Sequence, residues 1–277
     1  MSAAAAIETL VAIAAGAARR LGPRNAETPR RRALDALLAA AGETATPTDV
    51  PGAAFVAEVI RRDRAFDPAR DPWSFQLDAR ALPIAALLSR GAAAEAIALL
   101  APPDGTVFLD AGGGLGDATR AFLATCPGGR AFLVDTPPIL AAARRHLGAD
   151  AERVAFIAAD LRRDALPACD VALIANVLHL HSADDRAAIA RTVSAAAKTV
   201  ALKDIALADA KDGPLVALAF GLVTAIFGDG TVLAESELAD LVRSPGRDVS
   251  VRRMSIAPEC ALVVARPLDS MPSASRA

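Results

Sequence analysis

The chain has 277 residues, 53% hydrophobic and 22% charged, which is enough to build a buried core and too apolar for extended disorder. Thirty basic against thirty-two acidic residues leave a net charge of −2, which supplies no field for gripping nucleic acid or an anionic membrane. Three cysteines are too few and too scattered for a disulfide framework or a zinc cluster, so no metal site is expected.

The first twenty residues, MSAAAAIETLVAIAAGAARR, carry Glu8 inside the apolar run and Arg19 and Arg20 after it. A secretory signal has the opposite charge order, so an amphipathic helix and a cytoplasmic protein are expected. Further helices are predicted over 30–41, 53–64 and 79–100, separated by Gly22-Pro23, GETATPTDVPG (42–52) and DPARDPW (67–73). Residues 1–103 thus read as a helical N-terminal region. After residue 104 short apolar runs alternate with helix-length segments. The runs are TVFLD (106–110), RAFLVD (130–135), RVAFIAAD (153–160), DVALIAN (170–176) and TVALKDI (199–205), with crossover helices over 116–125, 137–147 and 183–197. That spacing means a parallel sheet with helices on both faces, whose strands are continuously hydrophobic because both sides are covered. The segment 213–227, GPLVALAFGLVTAIF, is apolar all round and is expected to be a buried helix; it is shorter than the ~18–20 residues that cross a bilayer. DVSVRRMSI (248–256) and CALVVARPL (260–268) are too close together for a crossover, so an antiparallel hairpin at the sheet edge is predicted. Residues 104–268 form the second region, and 269–277 read as a disordered tail.

The first strand ends in LDAGGGLGDATR (109–120). Gly112, Gly114 and Gly116 allow a tight turn and let a ligand approach the backbone, while the following helix presents its free N–H groups. Such turns serve nicotinamide and flavin dinucleotides and also S-adenosylmethionine. A G-x-G-x-x-G fingerprint from Gly112 would need glycine at 117, where Asp117 stands. What is present is D-x-G-x-G-x-G from Asp110, and a carboxylate inside the turn suits a cationic amino-acid moiety better than a pyrophosphate. Asp135 ends the second strand, where it would accept both ribose hydroxyls. Asp160-Leu161 ends the third, where the carboxylate would reach an adenine amine and Leu161 would cover the ring. Ligands on such sheets bind at these carboxyl ends.

LDAGGGLGDATRAFLATCPGGRAFLVDTPP resembles motif I and the following strand of class I S-adenosylmethionine-dependent methyltransferases. With NVLHLHSADD and FGDGTVLAESELADLV (227–242), it is similar more narrowly to the small-molecule O-methyltransferases of plant and bacterial secondary metabolism. The resemblance covers roughly 104–268. It implies an α/β, Rossmann-like, seven-stranded and mostly parallel sheet with a C-terminal antiparallel hairpin. It also implies S-adenosyl-L-methionine as cofactor, a small-molecule acceptor and a homodimer.

The family's general base lies in a segment reading L-H-D-W, and Leu178-His179 matches its first half, so the resemblance makes His179 the base. Histidine titrates near neutrality and suits the removal of a hydroxyl proton. Leu180 and His181 depart from the second half, and His181 stays open as an alternative base. Asp204, at the end of the fifth strand, matches the acid that orients the histidine. Val232 stands where a second orienting acid is usual, with Asp229 the nearest carboxylate. Asn176 either faces the methyl donor or caps a loop. His146 reads as a surface residue, and Cys126 and Cys169 as buried small hydrophobes.

Trp73, with Phe75, reads as an anchor packing the first region on the second rather than as a lid. Phe220 and Phe227 are candidates for lining the substrate pocket. The expected activity is O-methylation of a small molecule. The rivals are an N- or C-methyltransferase working by proximity and a non-catalytic cofactor-binding homologue, with a nicotinamide oxidoreductase disfavoured by the glycine spacing.

Overall fold

The five apolar runs beyond residue 104 become five parallel strands in a computed structural model, which describes residues 3–21, 28–42, 56–57, 60–61, 82–227 and 229–270. They are β1 (Val107–Ala111), β2 (Arg130–Asp135), β3 (Val154–Ala158), β4 (Cys169–Ala175) and β5 (Ala197–Leu207). A two-residue strand, β6 (Leu233–Ala234), pairs with the end of β5. β7 (Arg247–Arg253) and β8 (Cys260–Pro267) form the antiparallel hairpin. The order is β3-β2-β1-β4-β5-β8-β7, with β6 off this path, so the sheet has eight strands where seven were expected. Two residues of β6 carry no periodicity, which is why the sequence did not announce them.

The helices are α1 (Ala3–Leu21), α2 (Pro29–Ala41), α3 (Leu82–Leu100), α4 (Asp117–Thr125), α5 (Pro137–Leu147), α6 (Ala183–Ala196), α7 (Leu215–Phe227) and α8 (Glu235–Val242). Their starts are legible chemistry. Thr28 accepts the Arg31 N–H at 3.2 Å ahead of Pro29 at the first position of α2. Pro137 and Pro138 open α5, and Arg144, Arg145 and His146 sit in its last turn, where cations suit the dipole. No helix among the described residues is long and apolar enough to cross a membrane.

The chain divides into two compact units. One comprises residues 1–72, 179–182 and 205–234. Its core joins Val11, Ala14 and Ala17 of α1 to Leu34 and Leu37 of α2 and to Ala217, Leu218, Leu222 and Ile226 of α7. That accounts for the apolar character of α7 all round. The other comprises residues 73–178, 183–204 and 235–277 and holds the parallel strands. Phe108 and Phe122 stack there with ring centroids 4.7 Å apart, and Leu133, Leu173, Ile174 and Leu202 of the same unit are fully buried. The register puts Ala111 beside Val134 and Ile174, so β1, β2 and β4 end level and their loops share one edge. The helix predicted over 53–64 is helical at 56–57 and 60–61. Leu268–Ser270 form a 3-10 turn. The rest of the tail, Trp73, Phe75 and the side chain of Phe227 lie outside the described residues.

Candidate functional site

The glycine turn leaves β1 at Ala111, and Gly112, Gly114 and Gly116 take φ values of +71°, +56° and +86°. Gly112 needs to be glycine twice over. Its φ is left-handed, and a Cβ there would stand 2.7 Å from the Val177 side chain. A Cβ on Gly114 would meet nothing within 4 Å, so space lies open above the turn at that residue. The Gly114 amide donates to Asp135 Oδ2 at 3.0 Å, and Asp135 Oδ1 accepts the Thr136 N–H at 2.7 Å. Burial pushes the Asp135 carboxyl up, against the pull of those two amides.

Asp110 lies beneath the turn: a Cβ on Gly113 would be 2.7 Å from its carboxyl carbon. Asp110 Oδ2 accepts both the amide and the hydroxyl of Thr119, at 3.1 and 2.7 Å, which ties β1 to the first turn of α4. Its Oδ1 is buried without a hydrogen-bond partner, and burial pushes the carboxyl up to about 6. Asp117 pairs with His146 Nε2 at 3.2 Å, so His146 is half-buried and engaged rather than a plain surface residue. Asp160 is gripped by Arg162, whose Nε and Nη2 each reach a carboxylate oxygen at 2.8 Å, with Arg163 Nη2 at 3.2 Å. Those guanidinium bonds hold the Asp160 carboxyl down at about 2. Leu161 reaches over the turn, its Cδ1 3.6 Å from the Cβ position of Gly112.

Asn176 directly follows β4 with φ +56°. Its N–H donates to the Lys203 carbonyl at 2.8 Å, and Lys203 Nζ donates to its Oδ1 at 2.9 Å. Lys203 was not singled out in the sequence, yet it is 4% exposed and grips Asn176 through both backbone and side chain. The signal available was its position: a lone lysine in the apolar run TVALKDI, one residue before Asp204. Asp204 is also buried, and its Oδ2 accepts the amide of Leu178 at 3.0 Å. It therefore fixes the backbone one residue before His179. Arg186, also missed by sequence reasoning, is buried on α6 in the field of Asp204 and Glu237.

In the other unit His179 is 3% exposed, in a 3-10 turn over Leu178–Leu180. Its ring meets Phe220 edge-on, with centroids 5.0 Å apart and planes at 79°. Val232, at the position of the expected second acid, is buried in the helical core. Asp229 is 74% exposed and bonds Arg30 Nη2 at 3.0 Å. Cys126, Cys169 and Cys260 are all buried and free, and burial pushes the Cys169 thiol to about 12 and that of Cys260 to about 11. Among the described residues no group of three His, Cys, Asp or Glu side chains is arranged to hold a metal.

A sequence model of the O-methyltransferase domain matches residues 93–247, more than half of the chain. The chain belongs to the O-methyltransferase domain family. Among curated proteins it is 31% identical to the acetylserotonin O-methyltransferase of Bos taurus over 153 residues, which cover 53% of this chain and 44% of that protein. The Mus musculus acetylserotonin O-methyltransferase is 29% identical over 169 residues, 58% of this chain and again 44% of that protein. The chain thus spans under half the length of these two relatives. Among solved structures, human N-acetylserotonin methyltransferase in complex with SAM superposes with a TM-score of 0.64 at 20% identity, covering 76% of this chain and 65% of that one. A mitomycin 7-O-methyltransferase superposes with a TM-score of 0.63 at 21% identity, covering 94% of both chains. At these identities the structures speak for the fold, whose β7–β8 hairpin and parallel strands are those of this family.

Proposed function

We propose that this O-methyltransferase-family chain transfers a methyl group from S-adenosylmethionine to a hydroxyl of a small molecule, with His179 as general base. The observation that carries the donor assignment is the convergence of the open Gly114 backbone and the Asp135 carboxylate at the end of β1 and β2. The donor set fits the group: a carboxylate for ribose hydroxyls, Leu161 over the turn for an adenine face, and Asn176 at the end of β4. The unpartnered Asp110 Oδ1 beneath the turn adds negative charge that favours a cationic ligand. When bound, S-adenosylmethionine supplies an electrophilic methyl carbon on a sulfonium.

The chain's own part is to hold the acceptor in line and to take its proton. A ring nitrogen of His179 accepts that proton, and Asp204 steadies the backbone before it through the Leu178 amide. Asp229 bonds Arg30, and the apolar Val232 stands at the position of the family's second orienting acid. That departure from the family pattern favours, as a second reading, an N- or C-acceptor that needs no base. Residues 104–268 are the donor-binding catalytic region and 1–103 the helical cover. A homodimeric enzyme of secondary metabolism belongs to the same proposal and rests on the family resemblance.

Calorimetric titration with S-adenosylhomocysteine tests the donor assignment. Micromolar binding that weakens at least tenfold in Asp135→Ala is expected, about 1.4 kcal/mol or more; absence of binding sinks the reading. For the base, His179→Ala should lower turnover on a hydroxyl acceptor by ~10²–10⁴ with donor affinity unchanged. Full turnover in that variant would move the chemistry to the proximity reading.

A further inference from the structure

We propose that the turn at Asp229-Gly230 is the rest that sets the position of His179, with Gly230 the positioning residue and the Arg30–Asp229 pair its clasp. The inference deepens the reading of His179 as general base and rests on it for its catalytic meaning.

Gly230 is buried, and a Cβ built on it would overlap the carbonyl oxygen of His179 and stand 2.9 Å from the carbonyl carbons of His179 and Leu180. These are backbone atoms, which cannot rotate away as a side-chain tip can. The φ of Gly230 lies outside the left-handed region, so conformation does not demand glycine there. Close approach does. The turn therefore lies directly against the peptide that carries the histidine.

Two contacts hold the turn itself. On one side Asp229 bonds Arg30 Nη2 at 3.0 Å, and the Arg30 side chain is only 8% exposed, so the clasp reaches into α2. On the other side Val232 is buried among the residues of α1, α2 and α7. Phe220, on α7, meets the histidine ring edge-on. The ring is thus steadied by Phe220, and the backbone of the same residue by Gly230. The acid nearest the expected second orienting position acts on the histidine through the loop rather than through the ring. A base displaced by about 1 Å loses about 10²-fold in rate, which is the scale on which such a rest matters.

The chain has only three histidines, His146, His179 and His181, so the imidazole resonances of the 277-residue chain are few enough to resolve by NMR. The His179 signal is assigned by its loss in His179→Ala. Its ring protons carry a ring-current shift from Phe220. In Gly230→Ala that shift should change while the His146 resonances and S-adenosylhomocysteine affinity stay as in the wild type. Asp229→Ala, at a carboxylate that is itself exposed, should move the same resonance in the same direction by a smaller amount. It decides the matter alone if Gly230→Ala does not fold. His179 resonances at the wild-type position in the variants that fold overturn the inference, whatever His179 does in catalysis. Conversely, displaced resonances together with full turnover in His179→Ala would uphold the rest and remove only the base.

Discussion

Asp110→Asn isolates the one carboxylate that the glycine turn covers completely. In the wild type burial raises its pKa from an ordinary 3.8 to about 6, despite two hydrogen bonds from Thr119 that pull the other way. Below pH 3.8 the group is protonated in both the folded and the unfolded chain. Between 3.8 and 6 the folded chain keeps a proton that the unfolded chain has lost, so stability falls as pH rises through that window. Above 6 the full penalty is present. Two pH units at ~1.4 kcal/mol each put it at about 3 kcal/mol. Asparagine carries no charge at any pH, but its amide NH2 would occupy the place of Oδ1, which has no partner, at a cost of ~1–3 kcal/mol. The net change at neutral pH is therefore small. The difference between pH 4 and pH 7 is not, because the amide cost cancels from it. Urea unfolding of the cofactor-free protein at both pH values should show the variant gaining on the wild type by about 2 kcal/mol between them, since part of the penalty is already present at pH 4. A gain below about 1 kcal/mol would mean that Asp110 is hydrated or paired, and the account of the buried, unpartnered Oδ1 would fall.

Two further outcomes follow from the same geometry. Gly112→Ala puts a Cβ 2.7 Å from Val177 at φ +71° and should cost ~2–4 kcal/mol of stability, with S-adenosylhomocysteine affinity falling at least tenfold; calorimetry and unfolding measure both, and an unaffected affinity would separate the turn from the ligand. The three thiols, buried and with two raised to about 11 and 12, should not react with a disulfide reagent at pH 8 until the protein is unfolded, and a rapidly titrating thiol in the native protein would contradict the packing.

The elements legible in the sequence are those with a long period or a rigid chemistry. β2 begins at Arg130 and ends at Asp135 as predicted, and α5 spans Pro137–Leu147 because two prolines start it and Gly148 stops it. The glycine turn was legible because three positive-φ residues in five positions leave little but glycine possible. What the sequence hid was long-range. Lys203 pairs with a residue 27 positions away, and Arg30 with one 199 positions away. The apolar run TVALKDI marks Lys203 as out of place but does not name its partner, and nothing in the local pattern around Arg30 distinguishes it from a solvated arginine. Gly230 was not singled out within FGDGTVLAESELADLV, and its close approach to His179 exists only once the chain is folded.

The acids make the same point more sharply, because the sequence placed each near the carboxyl end of a strand without showing its partners. Asp135 ends β2, Asp160 follows β3 by two residues and Asp110 is the penultimate residue of β1, whereas Asp204, expected at the end of the fifth strand, lies within β5, which runs on to Leu207; each meets a different partner. Asp110 meets a threonine and burial, and its pKa rises. Asp135 meets amides of the turn and keeps space beside it at Gly114. Asp160 meets two guanidinium groups, so any ligand amine there must share it with Arg162. Asp204 meets the amide before the histidine. A motif specifies that a carboxylate stands at the strand end; whether it binds, braces or is already engaged is decided by which donor the fold brings within 3 Å. Asp135 is the one among them that combines amide anchoring with open space, and so it is the residue on which donor binding should depend most.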